Sequence, residues 1–136
     1  MERKISLEDD GMCFVCGKKN PIGLKVEFKL DEEGKVVGKF IPRKELQGFK
    51  NILHGGIIAT LMDEAMVSLL LKLGKKAVTS SFSVKLHKPA FTGEELTIVG
   101  RLVNDRGRIF EMNAEVRGSD GTVIASGEGI CVRVGK

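Results

Sequence analysis

The stretch of sequence that decides the fold is HGGIIATLMDEAMVSLLLKL, residues 54–73. Within it, residues 57–73 are predicted to form a helix, because they are too many and too rich in Leu, Ala and Met for a strand. Gly74 stands where a helix C-cap glycine stands, and Lys72 lies in the last turn. The helix is apolar almost all round, so it must be buried on most of its sides.

Segments with the alternating pattern of β-strands lie on both sides of this helix. Residues 24–30 and 35–41 precede it, joined by an Asp- and Gly-containing turn. After the helix, apolar and polar residues alternate over 81–87, and three more candidate strands follow at 94–103, 108–117 and 122–134. The order β-β-α-β-β-β-β predicts an α+β fold, in which one antiparallel sheet wraps around one helix.

The length of 136 residues suits a single domain. We expect residues 1–12 to be a polar lead-in and residues 13–136 to be that domain. The longest apolar stretch is interrupted by Asp63 and Glu64, so no membrane span is predicted. The first residues are charged and lack the apolar core of a secretory signal, and three cysteines cannot all pair within one chain. These features predict a cytoplasmic protein.

Charge and aromatic content limit the classes of partner. The net charge of +4 is spread along the chain, which permits an anionic ligand. Aromatic residues make up only 5%, with no Trp or Tyr, so a surface for stacking nucleic acid bases is not expected. Candidate contacts for phosphate groups are the basic residues near the predicted strand ends: Lys85, His87, Lys88, Arg101, Arg106 and Arg108.

The residues at the helix start carry the first chemical signal. Gly55 and Gly56 follow His54 directly and leave backbone N–H groups uncovered, at a position where those donors have no partner within the helix. They also lie at the positive end of the helix dipole, which favours an oxygen that gains negative charge. The alternative interpretation is that the two glycines only form a tight turn.

Asp63 carries the second signal, because it lies inside the helix among apolar neighbours. Ala59, Met66 and Val67 are three or four residues away from it. A buried carboxylate without a partner is costly, so the group must be paired, shifted in pKa or used chemically. Glu64 points about 100° away on the helix, and we interpret it as a surface acid.

Cys13 and Cys16 form a CxxC pair, which is half of a possible zinc site. A complete site needs further ligands, for which the sequence offers Cys131, His54 and His87. Free thiols or a packed loop are the favoured interpretation, so no bound metal is expected. The sequence contains no glycine-rich phosphate loop, no GxSxG and no HExxH.

Three motifs together resemble those of a known family. HGGIIATLMDEA (54–65), the opening CxxCG followed by NPIGL, and Lys88-Pro89-Ala90 with Gly93-Glu94 beyond it are similar to segments of hotdog-fold thioesterases, specifically the PaaI-like acyl-CoA thioesterases. The resemblance extends from about Cys13 to Val134. It implies a hotdog fold, in which a curved antiparallel sheet surrounds one long central helix. It also implies homodimers or homotetramers with the active site between protomers.

The resemblance assigns roles to residues. Asp63 falls on the family's general base or nucleophile, and Gly55 on the backbone N–H that polarises the thioester carbonyl. Thr79 takes the place of a hydroxyl residue that helps to hold water. Gln47 and Asn51 are both candidates for an amide side chain that faces the thioester from the partner chain.

The expected activity is hydrolysis of a small or medium acyl-CoA to free acid and CoA, with no cofactor, because CoA is part of the substrate. We expect His54 and Gly56 to line the site, and an apolar slot for the acyl chain formed by Ile58, Met62 and Met66 beside Phe82. No nucleic acid or membrane partner is expected. The alternatives are a non-catalytic acyl-CoA-binding module, a hydroxyacyl-thioester dehydratase on the same fold, and a zinc-ribbon-like interaction module.

Overall fold

The computed structural model describes residues 6–135, so residues 1–5 of the predicted lead-in and residue 136 of the predicted domain lie outside the described part. The element order β-β-α-β-β-β-β is confirmed, with one short 3-10 helix in the loop before α1. The elements are β1 (Lys29–Leu30), β2 (Val36–Phe40), the 3-10 helix (Lys44–Leu46), α1 (Gly55–Lys72), β3 (Ala77–Leu86), β4 (Leu96–Asp105), β5 (Ile109–Arg117) and β6 (Val123–Arg133).

The strands form one six-stranded antiparallel sheet in the order β1-β2-β4-β5-β6-β3. The three strands after β3 follow one another as neighbours, and β6 then returns to pair with β3. Within the described chain, β3 pairs with β6 alone, so it lies at the edge of the sheet. Its ten residues are therefore open to pairing along one side.

The helix lies across the sheet and packs against β2, β3, β4, β5 and β6. Its buried face consists of Ile58, Leu61, Met62, Ala65, Met66, Leu69 and Leu70. At Gly100 on β4 the approach is so close that an added Cβ would lie 2.8 Å from the carbonyl oxygen of Ala65. The prediction of one antiparallel sheet around one central helix is confirmed, and this is the hotdog fold that the sequence resemblance implied.

The helix begins two residues earlier and ends one residue earlier than the predicted 57–73. It begins at Gly55 because His54 supplies a side-chain cap. It ends as predicted through Gly74, whose φ of +78° is in the left-handed region that glycine adopts without strain. Across residues 6–135, no helix combines the length and the hydropathy needed to cross a membrane.

The first predicted strand is shorter than expected, since only Lys29–Leu30 of residues 24–30 pairs with β2. Leu24, Val26 and Phe28 of the segment are nevertheless buried, as their alternation predicts, whereas Leu30 is exposed. The backbone N–H groups of Leu24 and Val26 instead donate to carbonyls of residues 14 and 15. The alternating pattern therefore predicts the burial of three of the four apolar residues, but it does not identify their hydrogen-bond partner, which is a loop close to the N-terminus.

Candidate active site

Asp63 and Thr79 meet where α1 crosses β3. The Thr79 hydroxyl donates a hydrogen bond of 2.6 Å to Oδ1 of Asp63. Both residues are half-buried, so the carboxylate is neither isolated in the core nor fully solvated. A carboxylate held in one orientation, with a second oxygen left for another partner, is suited to take a proton from water.

A β-bulge on β3 explains why Thr79 faces the helix. The register between β3 and β6 shifts between Thr79 and Ser81. Before the shift, Ala77 and Thr79 face inward, whereas Phe82 and Val84 do so after it. Bulges re-aim side chains in this way and are frequent beside active sites.

Asp63 and Thr79 border a cavity of about 740 Å³, here called the mid-helix cavity. Residues 7–16 supply its second wall, folded against the helix. Its lining is Leu7, Glu8, Asp9, Asp10, Met12, Cys13, Cys16, Asp63, Glu64, Val67, Leu71, Ala77, Val78 and Thr79. Five of these described lining residues are acidic and none is basic, so the cavity is electronegative even though the chain has a net positive charge.

The interpretation of Glu64 as a surface acid is wrong. Glu64 is half-buried, and the Cys13 thiol donates to its Oε1 across 3.6 Å. Burial raises the pKa of Glu64 above its usual range, with the charges of Asp63 and Asp9 adding to the effect while the cysteine thiols oppose it. Helical neighbours alone did not reveal this contact, because it comes from a segment 51 residues away in sequence.

The start of the helix offers one uncommitted backbone donor. The N–H of Gly56 donates to Nδ1 of His54 over 2.9 Å, and the N–H of Ile57 donates to the His54 carbonyl. The expectation that both glycines leave donors uncovered is therefore corrected for Gly56. The N–H of Gly55 has no hydrogen-bond partner among residues 6–135, so it alone is available to a ligand.

A second cavity, of about 430 Å³, opens beside this amide and is here called the helix-start cavity. It is mostly apolar, and its lining is Gly48, Phe49, Ile52, Leu53, His54, Gly55, Ile58, Leu86, Pro89 and Ala90. A Cβ added at Gly55 would lie 2.9 Å from Cδ1 of Leu86, so glycine fits closely here. The cavity can therefore accept an apolar group beside a polar donor.

Gln47 and Asn51 lie together in the loop before the helix. Oε1 of Gln47 accepts a hydrogen bond of 3.1 Å from the Asn51 backbone N–H. Asn51 has a φ of +65°, a left-handed conformation that Asn tolerates better than most residues. Gln47 thus shapes the loop through its oxygen while its side-chain NH₂ remains for another partner.

The predicted acyl slot is only partly present in the single chain. Ile58 lines the helix-start cavity. Met62 is 0% exposed, and Met66 is equally buried. The terminal methyl group of Met62 lies 2.9 Å from the position of a Cβ added at Gly127, so Met62 fills the core between helix and sheet. Phe82 is half-buried on β3, beyond the helix-start cavity.

The sequence analysis names Cys131 only as a possible metal ligand, whereas the structure places it directly opposite Thr79 on β6. Its Sγ is 4.0 Å from the Thr79 hydroxyl oxygen. Burial raises the pKa of the Cys131 thiol, and the charge of Asp63 raises it further, although Thr79 opposes the shift. Cys131 is therefore a neutral, packed neighbour of the Asp63–Thr79 pair.

Asp63 and the free amide of Gly55 lie too far apart within one chain to act on the same bond. They are separated by eight helix positions, which corresponds to about 12 Å along the axis. A base and an oxyanion donor must both lie about 3 Å from the reacting atoms. The carboxylate and the free amide of one chain therefore lie in two separate places along the helix.

Comparison with known proteins shows the family to which the chain belongs. A family model described as Thioesterase superfamily matches residues 50–125, which include the helix start, Asp63 and Thr79. The chain belongs to the thioesterase superfamily. A curated protein of Archaeoglobus fulgidus, named "Putative esterase", is 31% identical over 103 residues, which is 76% of this chain and 67% of that protein.

Several solved structures have the same fold. One described as a thioesterase superfamily protein aligns with a TM-score of 0.85 at 30% identity, over 90% of this chain and 60% of the other. Escherichia coli PaaI, from the phenylacetic acid degradation operon, gives 0.77 at 21% identity, over 82% and 81%. Smu.793 of Streptococcus mutans, bound to acetyl CoA, gives 0.76 at 24% identity, over 82% and 90%.

Proposed function

We propose that this thioesterase-superfamily chain is an acyl-CoA thioesterase, which hydrolyses the thioester of a small or medium acyl-CoA to a free acid and CoA. The observation that carries the proposal is the half-buried Asp63 carboxylate, oriented by the Thr79 hydroxyl at 2.6 Å. A carboxylate held in this way can activate water. The unpartnered Gly55 amide lies at the positive end of α1, and the same amide on the α1 of a second protomer can stabilise an oxyanion.

The proposed reaction begins with a water molecule bound to Asp63. The carboxylate takes a proton from this water while the oxygen of the water bonds to the thioester carbon. The carbonyl oxygen becomes an oxyanion, which accepts a hydrogen bond from the Gly55 N–H. The intermediate then collapses, the carbon–sulfur bond breaks, and the proton held by Asp63 passes to the departing CoA sulfur.

Asp63 could alternatively attack the thioester carbon itself and form a mixed anhydride that water then hydrolyses. Both routes require the same carboxylate and the same amide donor. Rapid quenching with a radiolabelled acyl group distinguishes them, because only the nucleophilic route leaves label on the protein. We favour the general base, since the Thr79 hydroxyl already occupies one oxygen of Asp63.

The proposal requires two protomers, because Asp63 and Gly55 are about 12 Å apart within one helix. The open edge of β3 offers a way to join them. If two β3 strands pair antiparallel about an axis between Phe82 and Ser83, Thr79 of one chain lies opposite Leu86 of the other. Leu86 borders Gly55, so this homodimer would bring Asp63 close to the Gly55 of the second chain. Further pairing of dimers would give a homotetramer.

The surroundings of the helix-start cavity suit an acyl-CoA. Its apolar lining accommodates an acyl chain. Lys50 directly follows the lining residue Phe49, and Lys88 directly precedes the lining residue Pro89. Both lysines are exposed and could contact CoA phosphates. One structural neighbour is bound to acetyl CoA.

Because the three cysteines are free thiols in the structure, we also propose that the protein acts in the reducing cytoplasm.

A panel of acyl-CoAs from acetyl to decanoyl, with benzoyl and phenylacetyl members, tests the proposal by measurement of released CoA thiol. We expect at least one member to be hydrolysed with kcat/KM above about 10⁴ M⁻¹s⁻¹. Oxygen esters of the same acids serve as the matched control and should react more slowly. Tight binding of acyl-CoAs without thiol release would contradict hydrolysis and identify a binding module.

A further inference from the structure

The loop of residues 11–17 places two cysteines against the helix residue next to Asp63. One ligand atom each from Cys13, Cys16 and Glu64 lie within 4.8 Å of one another. The two sulfurs come from one tight turn, and the carboxylate comes from the middle of α1. The cluster therefore joins two segments that are far apart in sequence.

The spacing of these atoms fits a tetrahedral metal ion. Zinc binds sulfur at about 2.3 Å and carboxylate oxygen at about 2.1 Å, which at a tetrahedral angle separates sulfur from oxygen by about 3.6 Å. Sγ of Cys13 and Oε1 of Glu64 are 3.6 Å apart. An ion placed between them would thus need little movement of either side chain.

The turn is held in shape by its own backbone. The Cys16 N–H donates to Sγ of Cys13 across 3.5 Å, and the Gly17 N–H donates to the Cys13 carbonyl across 2.9 Å. A Cβ added at Gly17 would lie 2.5 Å from backbone atoms of Cys13 and Gly11, so a side chain would not fit there. N–H donors to a sulfur also stabilise its thiolate, as partners of metal ligands commonly do.

The charges around the cluster favour a cation. The mid-helix cavity, onto which all three side chains open, has five acidic lining residues and no basic one within the described chain. The adjoining surface groove beside Cys16 and Glu64 carries Lys18, Lys25 and Lys72, yet none of these three forms a salt bridge with Glu64.

We infer that Cys13, Cys16 and Glu64 bind one divalent metal ion of the zinc class. Two thiolates and one carboxylate supply three ligands, which leaves a fourth position for water on the side of the mid-helix cavity. No metal was expected from the sequence because only Cys131 and the two histidines were available as further ligands, whereas the structure supplies Glu64. The ion would clip the loop of residues 11–17 onto α1 beside Asp63. This inference rests on the ligand geometry and is independent of the proposed thioesterase activity.

Metal titration of the reduced full-length protein tests the inference. The protein is first freed of metal by a chelator, and Co²⁺ is then added. We expect one Co²⁺ per chain, with the intense thiolate-to-metal absorption of a sulfur-bound ion, and complete displacement by one equivalent of Zn²⁺. Absence of stoichiometric binding, or binding without the thiolate absorption, would overturn the site.

Substitution of each proposed ligand tests whether it binds the metal ion. C13S and C16S should abolish the thiolate absorption, and E64Q should weaken Zn²⁺ binding at least about tenfold, the effect that even an outer partner of a ligand has. The matched controls are C131A, which removes the third thiol, and E94Q, which removes an exposed carboxylate; both should bind as the wild type. Far-ultraviolet circular dichroism of each metal-free variant verifies folding. Equal affinity in E64Q, or a Cys13–Cys16 disulfide that forms in place of binding, would contradict the proposal.

Discussion

The helix-start cavity and the mid-helix cavity lie beside the same helix and the same strand, yet their chemistry is opposite. The first is mostly apolar and contains one free amide donor, that of Gly55. The second is acidic and contains the Asp63–Thr79 pair. Under the proposed function, one chain thus keeps apart the group that would stabilise the oxyanion and the group that would activate water. The proposal therefore requires a second copy of the chain to bring the two cavities face to face.

The largest expected effect comes from the mid-helix cavity. Asp63→Asn should lower kcat by about 10²–10⁴-fold, the usual contribution of a general base. Asn has the same shape and still accepts a hydrogen bond from Thr79, so thermal unfolding should change little. Steady-state release of CoA thiol measures the effect. E94Q, at an exposed carboxylate outside both cavities, is the control, and an active Asp63→Asn enzyme would rule out the assigned base.

The helix-start cavity is tested by removal of the Gly55 N–H. Gly55→Pro does so without breaking the helix, because proline is accepted at the first helical position and His54 already has the extended backbone that proline requires before it. Loss of one oxyanion donor should raise the barrier by about 2.7–4 kcal/mol, or about 10²–10³-fold in kcat.

Gly55→Ala is the matched control for this change. It introduces the same Cβ toward Leu86 but keeps the N–H. If alanine and proline reduce kcat equally, the cause is steric and the amide has no role in stabilising the oxyanion. Circular dichroism on both variants verifies that the helix is intact.

A smaller effect is expected from Thr79, which orients the base without replacing it. Thr79→Val removes the hydroxyl while keeping the shape, and hydrogen bonds to charged groups are worth about 1.5–3 kcal/mol. The kcat for thioester cleavage should therefore fall about tenfold to a hundredfold. Thr79→Ser keeps the donor and should retain most of the activity. Similar losses in the two variants would indicate that the methyl group, and so packing, matters at this position.

The smallest expected effect concerns the cap at the helix start. His54→Ala removes the acceptor of the Gly56 N–H, and loss of an N-cap typically costs about 0.5–2 kcal/mol of unfolding free energy. Urea unfolding followed by circular dichroism measures the loss. His54→Asn, which can also cap, should recover most of the stability. An unchanged midpoint in the alanine variant would show that the ring does not stabilise the helix.

The sequence was sufficient for features that depend on local order. The long apolar helix, its glycine end and the buried positions of the strands follow from residue spacing. The proximity of Asp63 and the strand after the helix also followed, through the family resemblance. The shortened first strand did not, because alternation does not identify a hydrogen-bond partner. Met62 was expected to line a cavity, but its depth in the core depends on the glycine beneath it on β6.

The contacts of Glu64 show the clearest limit of sequence reasoning. A position on a helix wheel relative to apolar neighbours suggested a surface acid. Its actual environment is set by Cys13, 51 residues earlier in the chain. Only the folded arrangement shows that the CxxC turn covers the helix at that point. Glu64, next to the predicted base Asp63, was therefore not recognised from the sequence as the third ligand of the proposed metal site.

The contact between Gly100 and the carbonyl of Ala65 limits which amino-acid substitutions this protein can accept during evolution. Since the helix backbone rests directly on the strand there, a Cβ at position 100 would force the strand and the helix apart at Ala65, two residues after Asp63. A glycine that lines neither of the two cavities thus helps to set the distance between the helix that carries Asp63 and the sheet that carries Thr79. If the proposed function holds, substitutions in the loops around Phe49 and Pro89 can change which acyl groups fit, whereas position 100 has room only for glycine.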